Sequence, residues 1–278
     1  MPPDPDIIAL ALAEDVGPGD VTSLFFTDPS RTSKAVIIAK EPLVVAGTAV
    51  AAEVFHRVDP KLVVEVVVQD GDRLAPRDVA LKISGPTGSL LTGERVALNF
   101  LQRLSGVATL ARQYVDAVAG TPARILDTRK TTPGLRVLEK AAAAAGGLVN
   151  HRMGLHDMVM VKDNHLAADS DLAFLQKGIE RVKATHPGMR VELEADTVEQ
   201  VRQFLTLDGV DVILLDNMSL DELREAVSLR TKGVVFEASG GITLDNVAEV
   251  ATTGVDFISI GAITHSARAV DFSLEITG

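Results

Sequence analysis

The sequence predicts an α/β protein of two parts, a small N-terminal α+β domain followed by a parallel α/β barrel. Two observations carry this prediction. The first third alternates Val- and Ile-rich strand segments with a helix and turn signals. From Ala123 onward, short apolar runs alternate with helical segments, the pattern of strands buried on both faces and joined by helices. With 278 residues, 46% of them hydrophobic, the chain can build one large core or two of unequal size.

The elements follow in order. Residues 6–14 place Ile7, Ile8, Leu10 and Ala11 at helical spacing, and Gly17-Pro18-Gly19 stops that helix. Segments 34–40 and 62–68 read as strands, with a helix over 47–58 between them. Asp70-Gly71-Asp72 is a turn leading to a strand over 79–84. A long helical stretch over 92–119, interrupted near Ser105-Gly106, bridges to the second part. There the apolar runs are 123–126, 158–161, 190–193, 212–215, 234–236 and 257–260, and 147–150 is a candidate for one more short strand. Six or seven such units favour a closed barrel over an open doubly wound sheet. No dinucleotide-type glycine fingerprint or Walker-type loop follows any run.

Composition narrows the function. A net charge of −11, from 27 Lys and Arg against 38 Asp and Glu, opposes binding to nucleic acid. The absence of Cys excludes disulfides and zinc–thiolate sites. The start, Met-Pro-Pro-Asp-Pro-Asp, has no basic or apolar leader region, and no apolar run approaches the roughly 18 residues of a membrane span. The expectation is a cytoplasmic protein with no membrane partner. Within this acidic chain the segment from Arg124 to Lys162 is basic. It holds Arg124, Arg129, Lys130, Arg136, Lys140, Arg152 and Lys162, with His151 and His156. Such a cluster points to a local anion site.

Barrel enzymes place their chemistry after the strands. The apolar runs end in Asp127-Thr128-Arg129-Lys130, Lys162-Asp163-Asn164-His165, Glu194, Asp216-Asn217, Glu237-Ala238-Ser239-Gly240-Gly241 and Gly261-Ala262. A ring of polar groups of both signs is more than strands reaching solvent require. Ser239-Gly240-Gly241 leads to a helix over 244–251, and Gly261-Ala262 leads to Thr264-His265-Ser266. Glycines there admit a ligand close to backbone N–H groups, and the final barrel loops are the usual phosphate site. Glu194 and Asp216 are candidates for Mg²⁺, ribose hydroxyls or a developing positive charge. Glu192 is expected on the face opposite Glu194, as the structural partner of a lysine. The arginines suit a small dianion bound through its carboxylates.

These residues resemble quinolinate phosphoribosyltransferase, the carboxylating nicotinate-nucleotide pyrophosphorylase family. The likeness lies in Leu126-Asp127-Thr128-Arg129-Lys130-Thr131-Thr132-Pro133-Gly134-Leu135-Arg136 and in Asn150-His151-Arg152-Met153-Gly154-Leu155-His156-Asp157. It continues through Val161–His165, Leu214-Leu215-Asp216-Asn217-Met218, Glu237–Ile242 and Ile260–Ser266, with Ala13–Ser23 near the start. The resemblance implies an N-terminal open α/β sandwich over residues 1–105, rejoined by 266–278. It implies an incomplete, six- to seven-stranded α/β barrel over 106–265. The implied reaction joins quinolinate to 5-phosphoribosyl 1-diphosphate with Mg²⁺, giving nicotinate mononucleotide, pyrophosphate and carbon dioxide in NAD synthesis.

By motif position, Thr128, Arg129, His151, Arg152 and Lys162 should hold quinolinate, with Arg95 contributed across a homodimer interface. Lys130, Glu194 and Asp216 should carry the catalysis and serve the phosphoribosyl donor, with Glu194 and Asp216 as the candidate Mg²⁺ ligands. Asn217, Ser239, Gly240, Gly241, Gly261, Ala262 and His265 should bind the phosphates. Three other readings account for parts of the pattern. They are a relative of the same fold encoded with molybdate transport, a Schiff-base aldolase with Lys162 as nucleophile, and a non-catalytic anion binder. Activity with quinolinate separates the first from the family reading, and borohydride trapping on Lys162 supports the second.

Overall fold

Asp6 and Asp20 start the first two helices by the same device, a carboxylate accepting a backbone N–H of the first turn. Asp6 accepts from Ala9 ahead of α1 (Ile7–Val16), and Asp20 from Ser23 ahead of α2 (Val21–Phe26). The chain is described here by a computed structural model covering residues 6–162, 171–231 and 233–277. After α2 come β1 (Thr32–Ala39), β2 (Leu43–Val44), α3 (Thr48–Val58), β3 (Val63–Val66), β4 (Arg73–Leu74), β5 (Val79–Pro86) and the long helix α4 (Thr87–Ala117). The second series is β6 (Arg124–Leu126), α5 (Arg136–Ala145), β7 (Val159–Val161), α6 (Leu172–Thr185), β8 (Val191–Ala195) and α7 (Val198–Phe204). It continues with β9 (Val212–Asp216), α8 (Leu220–Ser228), β10 (Val235–Ser239), α9 (Val247–Ala251), β11 (Phe257–Ser259), α10 (Ala262–His265) and β12 (Phe272–Ile276).

Contacts divide the chain into two compact units. The first comprises Met1–Arg112, Thr131–Gly147 and Ile263–Gly278, and the second Gln113–Lys130 and Leu148–Ala262. The first unit holds an antiparallel sheet of order β12-β1-β5-β3. Its inward positions are apolar at alternate residues. Ile37 on β1 and Leu81 and Ile83 on β5 pack with Phe55 of α3 and Leu90, Leu98 and Leu101 of α4 in one buried cluster. The C-terminal strand β12 completes this sheet by pairing with β1, Phe272 opposite Ala39.

One helix differs from its sequence reading. The stretch expected to break near Ser105-Gly106 is continuous through α4. Both residues serve packing. A Cβ on Gly106 would lie 2.0 Å from the carbonyl oxygen of Arg268, so only glycine allows that approach. The Ser105 hydroxyl takes the backbone N–H of Ala46 at 2.9 Å. A glycine inside a long helix here marks a close neighbour and not an end.

The second unit holds a parallel sheet of order β6-β11-β10-β9-β8-β7. Apart from β6, which follows β11, this is chain order, the cyclic sequence of a barrel. Closure is incomplete. Among the described residues no ladder joins β7 to β6, and the 147–150 segment adds a single bridge, Val149 to Leu126. Capping boxes at Thr197/Gln200 and Ser219/Glu222 fix the starts of α7 and α8, the helices that return the chain to β9 and β10.

Two strands run further than their apolar residues. β8 continues to Ala195 and β10 to Ser239, so Glu194 and Glu237 lie within strands and not in loops after them. Reading a charge as the end of a strand fails where the interior supplies partners for it.

Candidate active site

The strand register fixes what the barrel interior contains. Glu192 stands beside Val212 and Glu194 beside Leu214. Val212, Leu214 and Asp216 in turn stand beside Val235, Glu237 and Ser239. Residues two apart share a face, so Glu192 lies on the same face as Glu194, against the expectation that it points away. No lysine meets it. Its neighbour is His151, whose Nε2 lies 3.3 Å from Glu192 Oε2 and 3.4 Å from Glu237 Oε2.

At the C-terminal ends of these strands is a cavity of about 300 Å³. Its lining holds Thr128, Arg129, Lys130, His151, Arg152 and Lys162 together with Asp216, Glu237, Ser239 and Ser259. A larger cavity of about 380 Å³ beside α6 is walled by Met158, Val161, Leu175 and Ile179, with Arg152 its one charged residue among the described residues. It lacks the converging polar groups that would fix a small anion. Several members of the basic cluster lie elsewhere. Arg124 stacks over Phe257 at 5.1 Å from the ring centre, at the start of β6, and Arg136 and Lys140 belong to α5 in the other unit.

Local bonds hold the cationic wall in place. Asp127, fully buried after β6, accepts the Asn150 side-chain amide at 2.6 Å and the His151 N–H at 2.8 Å. The Thr128 hydroxyl accepts the Lys130 N–H at 3.1 Å. Arg152 donates Nη1 to the Met158 carbonyl at 3.1 Å, and burial together with neighbouring Arg129 lowers its pKa. Lys162 is ion-paired with Glu194.

Burial opposes the charged form of His151, but Glu192 and Glu237 outweigh it and raise the imidazole to about 9. The backbone N–H of Arg152 meets His151 Nδ1 at 2.7 Å, an arrangement that needs a bare Nδ1. The two cannot hold together at neutral pH. A hydrogen bond contributes about 0.5–1.5 kcal/mol net, whereas buried carboxylates without a countercharge cost several kcal/mol. The charges decide, and His151 is the imidazolium at neutral pH. Glu192 is itself pushed upward, by burial first and also by Glu237.

The rim at Asp216 is set by backbone geometry. Asn217 sits in the left-handed region (φ 55°), donates its N–H to the Ser239 carbonyl at 2.9 Å, and holds Asp216 Oδ2 through its side-chain amide at 2.6 Å. Gly240 (φ 89°) presses on Asn217, whose Oδ1 would lie 2.2 Å from any Cβ there. Gly241 follows at φ 61°. The helix expected from residue 244 begins only at Val247, because the Asn246 side chain first caps a turn by accepting the Thr243 N–H. Gly261 and Ala262 end the barrel segment after β11, while His265 and exposed Arg95 belong to the other unit. Asp163, Asn164 and His165, named among the strand-end groups, lie outside the described residues. The sequence reading missed Glu237 and Asp127 as supports of this wall. Alternation from Glu194 back to Glu192 was the available signal for the buried acids.

The chain matches the family models for the quinolinate phosphoribosyl transferase N-terminal domain over residues 20–105 and C-terminal domain over residues 107–275. It is 43% identical over 269 residues to a probable carboxylating nicotinate-nucleotide pyrophosphorylase of Synechocystis, covering 95% of this chain and 90% of that protein. The Bacillus subtilis relative of the same description is 42% identical over 264 residues, with the same coverage. Among solved structures, the nicotinate-nucleotide pyrophosphorylase of Francisella tularensis superposes with a TM-score of 0.90 at 33% identity, over 98% of this chain and 95% of that one. The corresponding protein of Ehrlichia chaffeensis gives 0.90 at 39% identity, over 98% and 97%. The chain belongs to the quinolinate phosphoribosyltransferase family.

Proposed function

We propose that the chain transfers the phosphoribosyl group of 5-phosphoribosyl 1-diphosphate to quinolinate. Carbon dioxide is lost, and nicotinate mononucleotide and pyrophosphate are the products, a step of NAD synthesis. The observation that carries this reading is the convergence of Arg129, His151, Arg152 and Lys162 on one cavity that Asp216 and Ser239 also line. Four cationic donors match a dicarboxylate. Charge-assisted hydrogen bonds of about 1.5–3 kcal/mol each offset its desolvation.

In this reading the cationic wall orients quinolinate with its ring nitrogen toward the donor sugar. The nitrogen attacks the anomeric carbon as the bond to pyrophosphate breaks, and pyrophosphate leaves with that electron pair. Positive charge develops on the sugar, and carboxylates nearby stabilise it. Asp216 at the mouth and Glu194 on the same inner face serve this role, while Lys130 neutralises phosphate charge. The glycosylated nitrogen is cationic, so the neighbouring ring carbon can release carbon dioxide, keep the electron pair and then take a proton. Ser239, Gly240, Gly241, Gly261 and Ala262 offer hydroxyl and backbone N–H groups to the phosphates, with Asn217 holding the rim; His265, the last residue of α10, is a further candidate phosphate ligand.

The donor set at the mouth fits Mg²⁺. That ion binds through one or two carboxylates plus substrate phosphates. Asp216 is half-buried at a strand end, whereas Glu194 is already paired with Lys162. Asp216 would hold the ion, whose charge would stabilise the departing pyrophosphate.

The test is release of carbon dioxide from carboxyl-labelled quinolinate. Release should depend on the phosphoribosyl donor, and donor-independent or absent release overturns the assignment. A homodimer in which Arg95 reaches the partner's quinolinate site belongs to the same proposal, supported by the exposure of Arg95 on α4. Arg95→Ala and Lys130→Ala should each be nearly inactive, and co-refolding them should restore activity through mixed dimers with one intact site. Mixed dimers with background activity exclude that role for Arg95.

A further inference from the structure

The mechanism leaves Glu192 and Glu237 unused, although both are at least 98% buried in the barrel interior. They stand on β8 and β10, the two neighbours of β9, and flank His151 Nε2 at 3.3 and 3.4 Å. Both oxygens of Glu192 and Oε1 of Glu237 have no hydrogen-bond partner among the described residues. The imidazole is what these acids face.

The three ligand atoms lie within 4.8 Å of one another, a spacing that suits a metal ion. A metal would need Nε2 stripped of its proton. The surroundings favour the opposite state. His151 shares the active-site cavity with Arg129, Arg152, Lys162 and Asp216. It shares a smaller cavity of about 120 Å³ with Arg124, Arg190 and the two glutamates, and its backbone N–H is held by Asp127. The surrounding cations all disfavour an imidazolium. Glu192 and Glu237 are the acids in contact with the ring, and without them it would be neutral.

We infer that Glu192 and Glu237, the latter at the floor of the same cavity, are positioning residues for quinolinate, which fix the His151 ring and keep it charged. In the charged ring Nδ1 carries a proton, so its 2.7 Å contact with the Arg152 N–H gives way and Nδ1–H becomes a donor for a substrate carboxylate. This rests on the assignment of quinolinate to the cavity at His151. The sign is fixed by the raised pKa: the charge is present below about 9 and lost as pH rises through it.

The test combines Glu237→Gln with two measurements, and Glu192→Gln stands in if the first variant does not fold. In substrate-free protein with ¹³C-labelled histidine, the His151 resonance should titrate near 9 in the parent and move down toward 6.5 in the variant. By calorimetry, quinolinate affinity should fall by up to about thirtyfold near pH 8, where a ring of pKa 6.5 is only about 3% charged, and recover near pH 6, where most of it is charged. Affinity for the phosphoribosyl donor should not change. A His151 titration that does not move overturns the inference and leaves the quinolinate assignment standing. A titration that moves while quinolinate affinity does not removes His151 from the quinolinate site. An equal loss of affinity at both pH values reduces the glutamates to packing and also overturns the inference.

Discussion

The first unit buries Ile37, Phe55, Leu81 and Ile83 against one another, while the second buries Glu192, Glu237 and Asp127 around His151 and its neighbours. Apolar side chains in the sheet of the first unit gain free energy simply by leaving water, about 25 cal/mol per Å². Acids in the barrel gain nothing from burial and persist because cations or hydrogen-bond donors meet them. The sheet core of the first unit is built for stability, whereas the barrel, beside apolar residues such as Ile213 and Phe236, also holds charges at fixed positions. The same chain can do both because the two interiors sit on separate sheets. A mutation in one should therefore be read by a different instrument from a mutation in the other.

Phe55→Ala tests the stability side and should have the largest effect. Phe55 is wholly buried, and removing such a ring costs about 3–5 kcal/mol. Denaturant unfolding should show that loss, with quinolinate KM of the folded fraction unchanged. A shifted KM would break the division. Arg129→Ala tests the other side. Affinity for quinolinate should fall by about 2–4 kcal/mol, part of it the cost of an unpaired carboxylate, with little change in unfolding midpoint. Unchanged affinity in a folded protein removes Arg129 from the clamp. Asp216→Asn sharpens the picture within the barrel. It keeps shape and removes charge, so kcat should fall about tenfold or more while quinolinate affinity changes least. Lost quinolinate binding with turnover intact would reverse the roles of Arg129 and Asp216.

The elements of both units were legible because period-2 alternation and continuous apolar runs are direct records of burial. The barrel's incompleteness was not legible in the residues themselves, since Gly147–Asn150 carries the same apolar hint as a true strand yet forms one bridge. Gly106 misled for a related reason: a glycine that ends a helix and a glycine that admits a carbonyl look alike in sequence. Within the site, the groups just past the apolar runs were legible, and Arg129, Lys130, Lys162 and Asp216 do line one cavity. Glu192 and Glu237 were not given a role, because a buried acid depends on partners far away in the chain. His151 is 41 and 86 residues from them.

The contact between Gly240 and Asn217 has a consequence for how this mouth can change. The backbone of one strand end serves as a spacer for the next, so the position of Asp216 depends on the thickness of the residue at 240. A methyl group there has nowhere to go, being 2.8 Å from the Asn217 backbone nitrogen as well as from its side chain. Variation that reshapes the pocket by side-chain exchange is closed at this point, whichever substrate it might favour. Altered specificity would have to arise from the cationic wall, where side chains can be swapped without moving the frame that carries the carboxylate.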